Sequence, residues 1–164
     1  SFSGSGDRVR PGPSRRSKEI NFVMENALSG AINLTNCPGC SVDVHVNLIQ
    51  TDAGTRCAAI TAAAMALADA GFEMADLVSA VAVGVVDGRV VADLDKTEED
   101  VDGAVDIPIA VMPNENKITL MQLDGRIKKE QLKEAVELAK EVCKKIYQLQ
   151  RTAIVEKYEV KEAK

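Results

Sequence analysis

VSAVAVGVVDGRVVADL (residues 78–94) decides the fold. Two valine-rich runs flank Asp87-Gly88, a dipeptide that accepts the left-handed backbone of a two-residue hairpin turn. The stretch predicts antiparallel strands over 78–86 and 89–94. VDIPIAVM (105–112) and KITLMQL (117–123) repeat the arrangement around Pro113-Asn114-Glu115-Asn116, and Asp124-Gly125 supplies the next turn.

Outside these hairpins the apolar period changes to that of helices. Ile20, Val23, Ala27, Leu28 and Ala31 predict a helix beginning at Ser14. Residues 57–70 are alanine-rich and apolar nearly all round, as a buried helix is, and Gly71 is a natural stop. Residues 74–77 suggest a short helical turn. A long helix is expected over 128–150, with Leu132, Ala135, Val136, Ala139, Val142, Cys143 and Ile146 as its apolar stripe and Glu141–Lys145 as an exposed i,i+4 pair. Residues 41–50 alternate, with Val42, Val44, Val46 and Leu48 on one face and Asp43, His45 and Asn47 on the other, which predicts a half-buried strand. His45 then belongs to a polar surface and is not a metal ligand. Helices and hairpins in blocks indicate an α+β fold rather than a doubly wound parallel sheet. The expected organisation is a Ser/Gly/Pro-rich loop over 1–13, one domain over 14–155 and a charged tail over 156–164.

The 164 residues are 46% hydrophobic and 27% charged, the composition of an ordinary globular protein. Aromatics are 3% with no Trp, so the core must be built from Val, Ile, Leu and Ala. No apolar run approaches the roughly 20 residues of a membrane span, and no signal peptide is visible, so a cytoplasmic location and no membrane partner are expected. The net charge of −5 weighs mildly against nucleic acid, but the charge is unevenly spread. Arg8, Arg10, Arg15, Arg16 and Lys18 cluster near the start, whereas Asp93, Asp95, Glu98, Glu99, Asp100, Asp102 and Asp106 cluster in the middle. Either these are two solvated faces, or a polyanion site lies beside a metal site. Cys37-Pro38-Gly39-Cys40 has the spacing of half a zinc site, but a structural zinc needs four ligands, so a turn with incidental thiols is the better reading.

Gly54, Thr55 and Arg56 stand where the expected strand ends and the buried helix begins. Free N–H groups and the helix dipole there favour an anion, glycine permits close approach, and arginine grips phosphate with two parallel hydrogen bonds. Ordinary capping by Thr55 explains the same residues. Arg15 and Arg16 fall in a first helical turn, the unfavourable end for cations, which hints at an external anion or side chains simply turned to water. Asp100 and Asp106 would be roughly 20 Å apart along a continuous strand, but Gly103 between them lets the chain fold back. Asp106 lies among apolar neighbours, where a charge is costly unless partnered.

RPGPSRRSKEI (10–20), DAGTR (52–56), ALADAG (66–71) and VDIPIAVMP (105–113), in this order, resemble the RNase PH family, most closely the catalytic RNase PH-like subunits of archaeal exosomes. The resemblance implies an RNase PH-like α+β fold lacking its N-terminal strands. It implies a processive 3′→5′ exoribonuclease that cleaves with inorganic phosphate and releases nucleoside diphosphates. By position, Arg15 and Arg16 would bind RNA, and Gly54, Thr55 and Arg56 would bind the attacking phosphate. Asp100 and Asp106 would be catalytic and hold Mg²⁺ or a similar divalent metal. The implied partners are single-stranded RNA, a sister RNase PH-like subunit in a ring, and RNA-binding cap subunits, with no DNA. A homomeric RNase PH trimming tRNA 3′ ends and a non-catalytic scaffold subunit are the alternatives. Retention of Asp100, Asp106 and Gly54-Thr55-Arg56 argues against the scaffold.

Overall fold

The structure, a computed structural model, describes residues 15–159. Ser14, the rest of the segment before it and residues 160–164 therefore lie outside the described residues. The elements in chain order are α1 (Arg15–Ser29), α2 (Thr55–Asp69), β1 (Ser79–Val86), β2 (Arg89–Ala92), α3 (Lys96–Glu99), β3 (Val105–Met112), β4 (Lys117–Met121) and α4 (Lys129–Tyr158). The strands form one antiparallel sheet in the order β2-β1-β3-β4. Asp87 and Gly88 both take positive φ (50° and 77°), as the expected two-residue hairpin requires.

The sheet lies between two helical layers. Val81, Val83, Val85, Val105, Ile107, Ile109 and Val111 pack on Ala135, Ala139 and Cys143 of α4. Ala80, Ala82, Ala110 and Met112 point the other way, onto α1 and α2. Because strand side chains alternate faces, β1 and β3 read as continuous apolar runs, although the sheet is antiparallel. The α2 face is lined with small residues. Ala59, Ala63 and Ala64 of the helix meet Ala80, Ala82 and Ala110 of the sheet, so helix and sheet approach closely.

β2 covers only Val83–Val86 of β1, so the start of β1 needs other hydrogen-bond partners. The Ala80 N–H donates to Thr61 Oγ1 of α2 at 3.0 Å. Gln150 of α4, only 3% exposed, donates to the carbonyls of Thr61 and Val78 and accepts from Ser79 Oγ at 2.6 Å. A buried amide thus ties both helical layers to one strand.

Three expectations are corrected. Residues 41–50 form no strand. Val42 and Val46 do pack against the core and Asp43, His45 and Asn47 are exposed, but Val44 is 40% exposed and no β-bridge joins these residues to another described segment. Alternation encodes which face is buried, whereas a strand also needs a neighbour to bond with. Residues 74–77 form no helical turn, because Met74 bridges Ile32 and Asp76 turns inward to accept from the backbone N–H groups of Leu77 and Asn114. Finally, α4 continues through the start of the supposed charged tail to Tyr158. Lys157 pairs with Asp69 at 2.6 Å, and Tyr158 Oη donates to the same carboxylate at 2.9 Å, clasping the end of α4 to the end of α2.

Gly84 is the tightest point of the sheet. A Cβ there would meet the Val105 carbonyl oxygen at 2.0 Å and Leu94 Cδ2 at 3.0 Å. Backbone cannot yield as a flexible side chain does, so Gly84→Ala is expected to destabilise by about 2–3 kcal/mol. Gly30→Ala, with open space around it, should change stability by under about 0.5 kcal/mol. Urea denaturation of both variants checks this; equal midpoints would refute it.

Candidate active site

The Ala-rich packing fixes where α2 begins. Ala53 and Gly54 both have φ of 55°, so the chain enters the helix through two successive left-handed residues. For Ala53 this costs roughly 1–2 kcal/mol, a strain that persists only where the surroundings hold it. Gly54 is the N-cap, its carbonyl accepts from the Cys57 and Ala58 N–H groups, and no described side chain caps the helix. Thr55 is therefore the first helical residue and does not cap. The helix start keeps its donors and its positive dipole end open to a cleft of about 560 Å³.

β3 brings Asp106 to this cleft. Val105 and Ile107 point at α4, so Asp106 between them faces the α2 side, followed by Pro108 and Ala110. Asp106 and Asp124 form a β-bridge, exchanging N–H···O bonds of 3.0 and 2.9 Å. Directly opposite carboxylates on one face repel. Asp106 Oδ1 is buried and has no hydrogen-bond partner among the described residues. Burial pushes the Asp106 carboxyl above the usual carboxylate range and Asp124 pushes the same way, while Arg56 opposes them. Cys57, also on the wall, is raised to about 12, chiefly by burial and then by Asp106, so it is an inert thiol.

Arg56 lies on the same wall. Its Nη1 donates to Gln122 Oε1 at 2.5 Å and stands 3.9 Å from Glu19 of α1. Gln122 in turn donates its backbone N–H to Pro108 O at 3.1 Å, so the residue that aims Arg56 is itself fixed to β3. Arg16 reaches the cleft from α1.

The acidic segment folds as a short helix, α3, with a capping box. Asp95 accepts from the Glu98 N–H at 2.8 Å, and Glu98 Oε2 accepts from the Asp95 N–H at 3.0 Å. The Asp52 carboxylate accepts from the Lys96 N–H at 3.1 Å, joining the loop before α2 to α3. Gly103, with φ of 79°, then turns the chain back into β3. Lys96 and Glu99 line the cleft. Burial, then Asp106, raises the Glu99 carboxyl above its ordinary value.

The structure thus brings Arg16, Gly54, Thr55, Arg56 and Asp106 together around one cleft. Arg15 and Asp100 do not line it. Arg15 is exposed on α1, and Asp100, 64% exposed, pairs with Lys96 Nζ at 2.5 Å. Sequence reasoning missed Lys96, Glu99, Asp124 and Gln122. The capping-box pattern Asp95-x-x-Glu98 could have revealed α3 and hence the direction of Glu99. Nothing local marks Asp124 or Gln122, which arrive through pairing with β3.

Three cations, Arg16, Arg56 and Lys96, share the walls with four carboxylates, Asp52, Glu99, Asp106 and Asp124. An anionic ligand needs those carboxylates neutralised, by protons or by a cation. Among the described residues no three His, Cys, Asp or Glu form a metal-holding group. The orphaned Asp106 oxygen does fit an ion of the Mg²⁺ type, which takes one or two carboxylates and completes its shell with water and phosphate oxygens.

The chain matches the 3′ exoribonuclease family, domain 1 over residues 1–73 and domain 2 over 76–142. It is 52% identical over 152 residues to a Pyrococcus horikoshii protein named exosome complex component Rrp41, covering 93% of this chain and 61% of that one. Proteins of the same name from Methanopyrus kandleri (51%, 93% of this chain and 63% of that one) and Nitrosopumilus maritimus (47%, 93% and 62%) are also similar. The chain thus spans about three-fifths of the length of these relatives. Rice (Oryza sativa) Rrp46 superposes with a TM-score of 0.72 at 21% identity, covering 87% of this chain and 68% of that one, which shows the fold.

The raised Asp106 carboxyl has a stability consequence. Its favourable contribution is complete below the ordinary carboxylate pKa and is lost as pH rises through the raised value. Asp106→Asn is therefore expected to melt at a higher temperature than wild type at neutral pH, with the difference shrinking below the ordinary carboxylate range. Thermal unfolding across pH measures it; an equal or lower midpoint at neutral pH would contradict the burial argument.

Proposed function

We propose, from the premise that this chain belongs to the 3′ exoribonuclease family, that it carries the catalytic site of a phosphorolytic 3′→5′ exoribonuclease within an exosome-type ring. The observation that carries this reading is the convergence of Arg56, the uncapped start of α2 and the buried Asp106 on one cleft. The relatives named exosome complex components support an exosome-type assembly, and this reading takes a sister RNase PH-like subunit and cap subunits as partners and single-stranded RNA as substrate.

Inorganic phosphate would sit on the N–H groups of Gly54, Thr55 and Arg56, with the Arg56 guanidinium held ready by Gln122. Arg16 at the cleft and Arg15 on the adjoining helix surface would grip the RNA backbone. A phosphate oxygen attacks the terminal phosphodiester phosphorus, the bond to the leaving 3′ oxygen breaks, and a nucleoside diphosphate departs. Two anions must meet, so fixed cations that neutralise their repulsion lower the barrier. Asp106, whose carboxyl holds its proton above the ordinary range, is placed to protonate the leaving oxygen. In its ionised form the Asp106 carboxylate would instead hold a Mg²⁺-type ion, which would neutralise phosphoryl charge. For Asp100 to join it, the Lys96–Asp100 ion pair must open.

The test is a 5′-labelled RNA incubated with the full-length protein and its ring partner, with and without phosphate and Mg²⁺. Shortening should require phosphate and yield nucleoside diphosphates; shortening independent of phosphate would overturn the reading. Asp106→Ala should lower kcat by about 10²–10⁴-fold while RNA binding persists. Replacing both Arg15 and Arg16 with Ala should weaken RNA binding and flatten its dependence on salt.

A further inference from the structure

Cys37-Pro38-Gly39-Cys40 takes no part in the cleft. The Cys40 N–H donates to Cys37 O at 3.2 Å. Pro38 fills the second position of this turn and Gly39 the third, with φ of +77°. That is the type II turn, in which the first and fourth Cα lie within roughly 7 Å. A disulfide spans Cα separations of roughly 4.4–6.8 Å, so the turn already brings the two Cα atoms near the separation a bridge requires.

The turn is also held in place. The Cys37 N–H donates to Leu34 O at 3.0 Å. Asn33 and Asn36 both donate side-chain N–H bonds to Glu73 Oε2, at 3.2 and 2.8 Å. Anchored this way, the pair loses little further freedom on closing. Cys40 is exposed and Cys37 half-buried, whereas Cys57 and Cys143 are buried. Among the described residues no third Cys, His, Asp or Glu completes a metal set with them. Two thiols alone are poor zinc ligands, and their natural chemistry is exchange with a disulfide.

We propose that Cys37 and Cys40 are a reversible dithiol–disulfide site that exchanges with low-molecular-weight disulfides such as oxidised glutathione. The thiolate of the exposed Cys40 attacks the external disulfide, forming a mixed disulfide and releasing one small thiolate. The Cys37 thiolate then attacks the Cys40 sulfur and expels the second. The protein loses two electrons and two protons, and one external disulfide becomes two thiols. The site lies beyond the far end of α2, where Ile32 bridges Met74. It is thus about 20 Å, one helix length, from the phosphate-binding start of α2.

The chain offers a clean readout. No Lys or Arg lies between Glu19 and Thr55, so trypsin releases residues 19–56 with Cys37 and Cys40 and leaves Cys57 and Cys143 on other peptides. The folded protein is equilibrated with reduced or oxidised glutathione, alkylated with iodoacetamide, digested and weighed. In the reduced sample the peptide should carry two alkyl groups. In the oxidised sample it should carry none and be lighter by two hydrogens, and dithiothreitol should restore alkylation. Cys40→Ser should lose the internal bridge and leave Cys37 alkylated or joined to glutathione. Two glutathione adducts on the wild-type peptide, or full alkylation after oxidation, would overturn the proposal.

Discussion

The close approach of α2 to β1 and β3 is the constraint on which the rest of the molecule depends. Ala59, Ala63 and Ala64 of α2 share one buried cluster with Ala80, Ala82 and Ala110 of the sheet, where small side chains let helix and strands come close. That contact fixes the helix in depth and in register along the strands. The Thr61–Ala80 hydrogen bond sets the same register through a polar group. Once α2 is fixed, its first turn must open where the sheet's α2 face runs out of apolar residues, which is at Asp106. A larger residue in this layer would lift the helix and carry Arg56 away from the carboxylate, so the cleft follows from packing before any ligand enters.

The cleft is held at a cost to the folded state. Ala53 is in the left-handed region, Asp106 keeps a buried oxygen without a partner among the described residues, and Asp124 faces it across a β-bridge. Each feature is unfavourable for folding and would serve the phosphate chemistry proposed above. In the proposed function the open helix start would hold an anion, and the half-buried carboxyls would accept a proton or a cation as that anion arrives. Strain and unpaired polarity concentrated at one point are what functional sites accept and cores avoid. Gln122 and Asp52 make the arrangement precise enough to use, one aiming Arg56 and the other locking the α2 loop to α3.

Much of this was legible in the chain. Asp87-Gly88 announced the first hairpin, and the 105–112 run announced the central strand with Asp106 on it. Gly54 and Arg56 stood at the head of a helix that could only be buried. Tertiary context wrote the rest. The alternation of 41–50 reported the packing of Val42 and Val46 and the exposure of Asp43, His45 and Asn47, but missed that Val44 is 40% exposed and could not report whether a neighbouring backbone exists to complete a strand. Asp100 and Asp106 were paired as site candidates in sequence, with only Asp106 set among apolar neighbours, and α3 directs Glu99 into the cleft and leaves Asp100 paired with Lys96 at 2.5 Å on the outside. Gln150 looked like one more polar residue on a charged helix until the start of β1, uncovered by β2, required its amide. The end of α4 looked frayed because its stabilising partner, Asp69, lies 88 residues away.

The central claim is that the start of α2 and Arg56 form an anion site facing Asp106. Titration of the ¹⁵N-labelled protein with inorganic phosphate tests it most directly, read from backbone amide shifts. The account predicts saturable shifts at Gly54, Thr55, Arg56 and Gly125, abolished by Arg56→Ala, with the far end of α4 unmoved. Shifts scattered over the surface, or unchanged binding in the Arg56 variant, would contradict it.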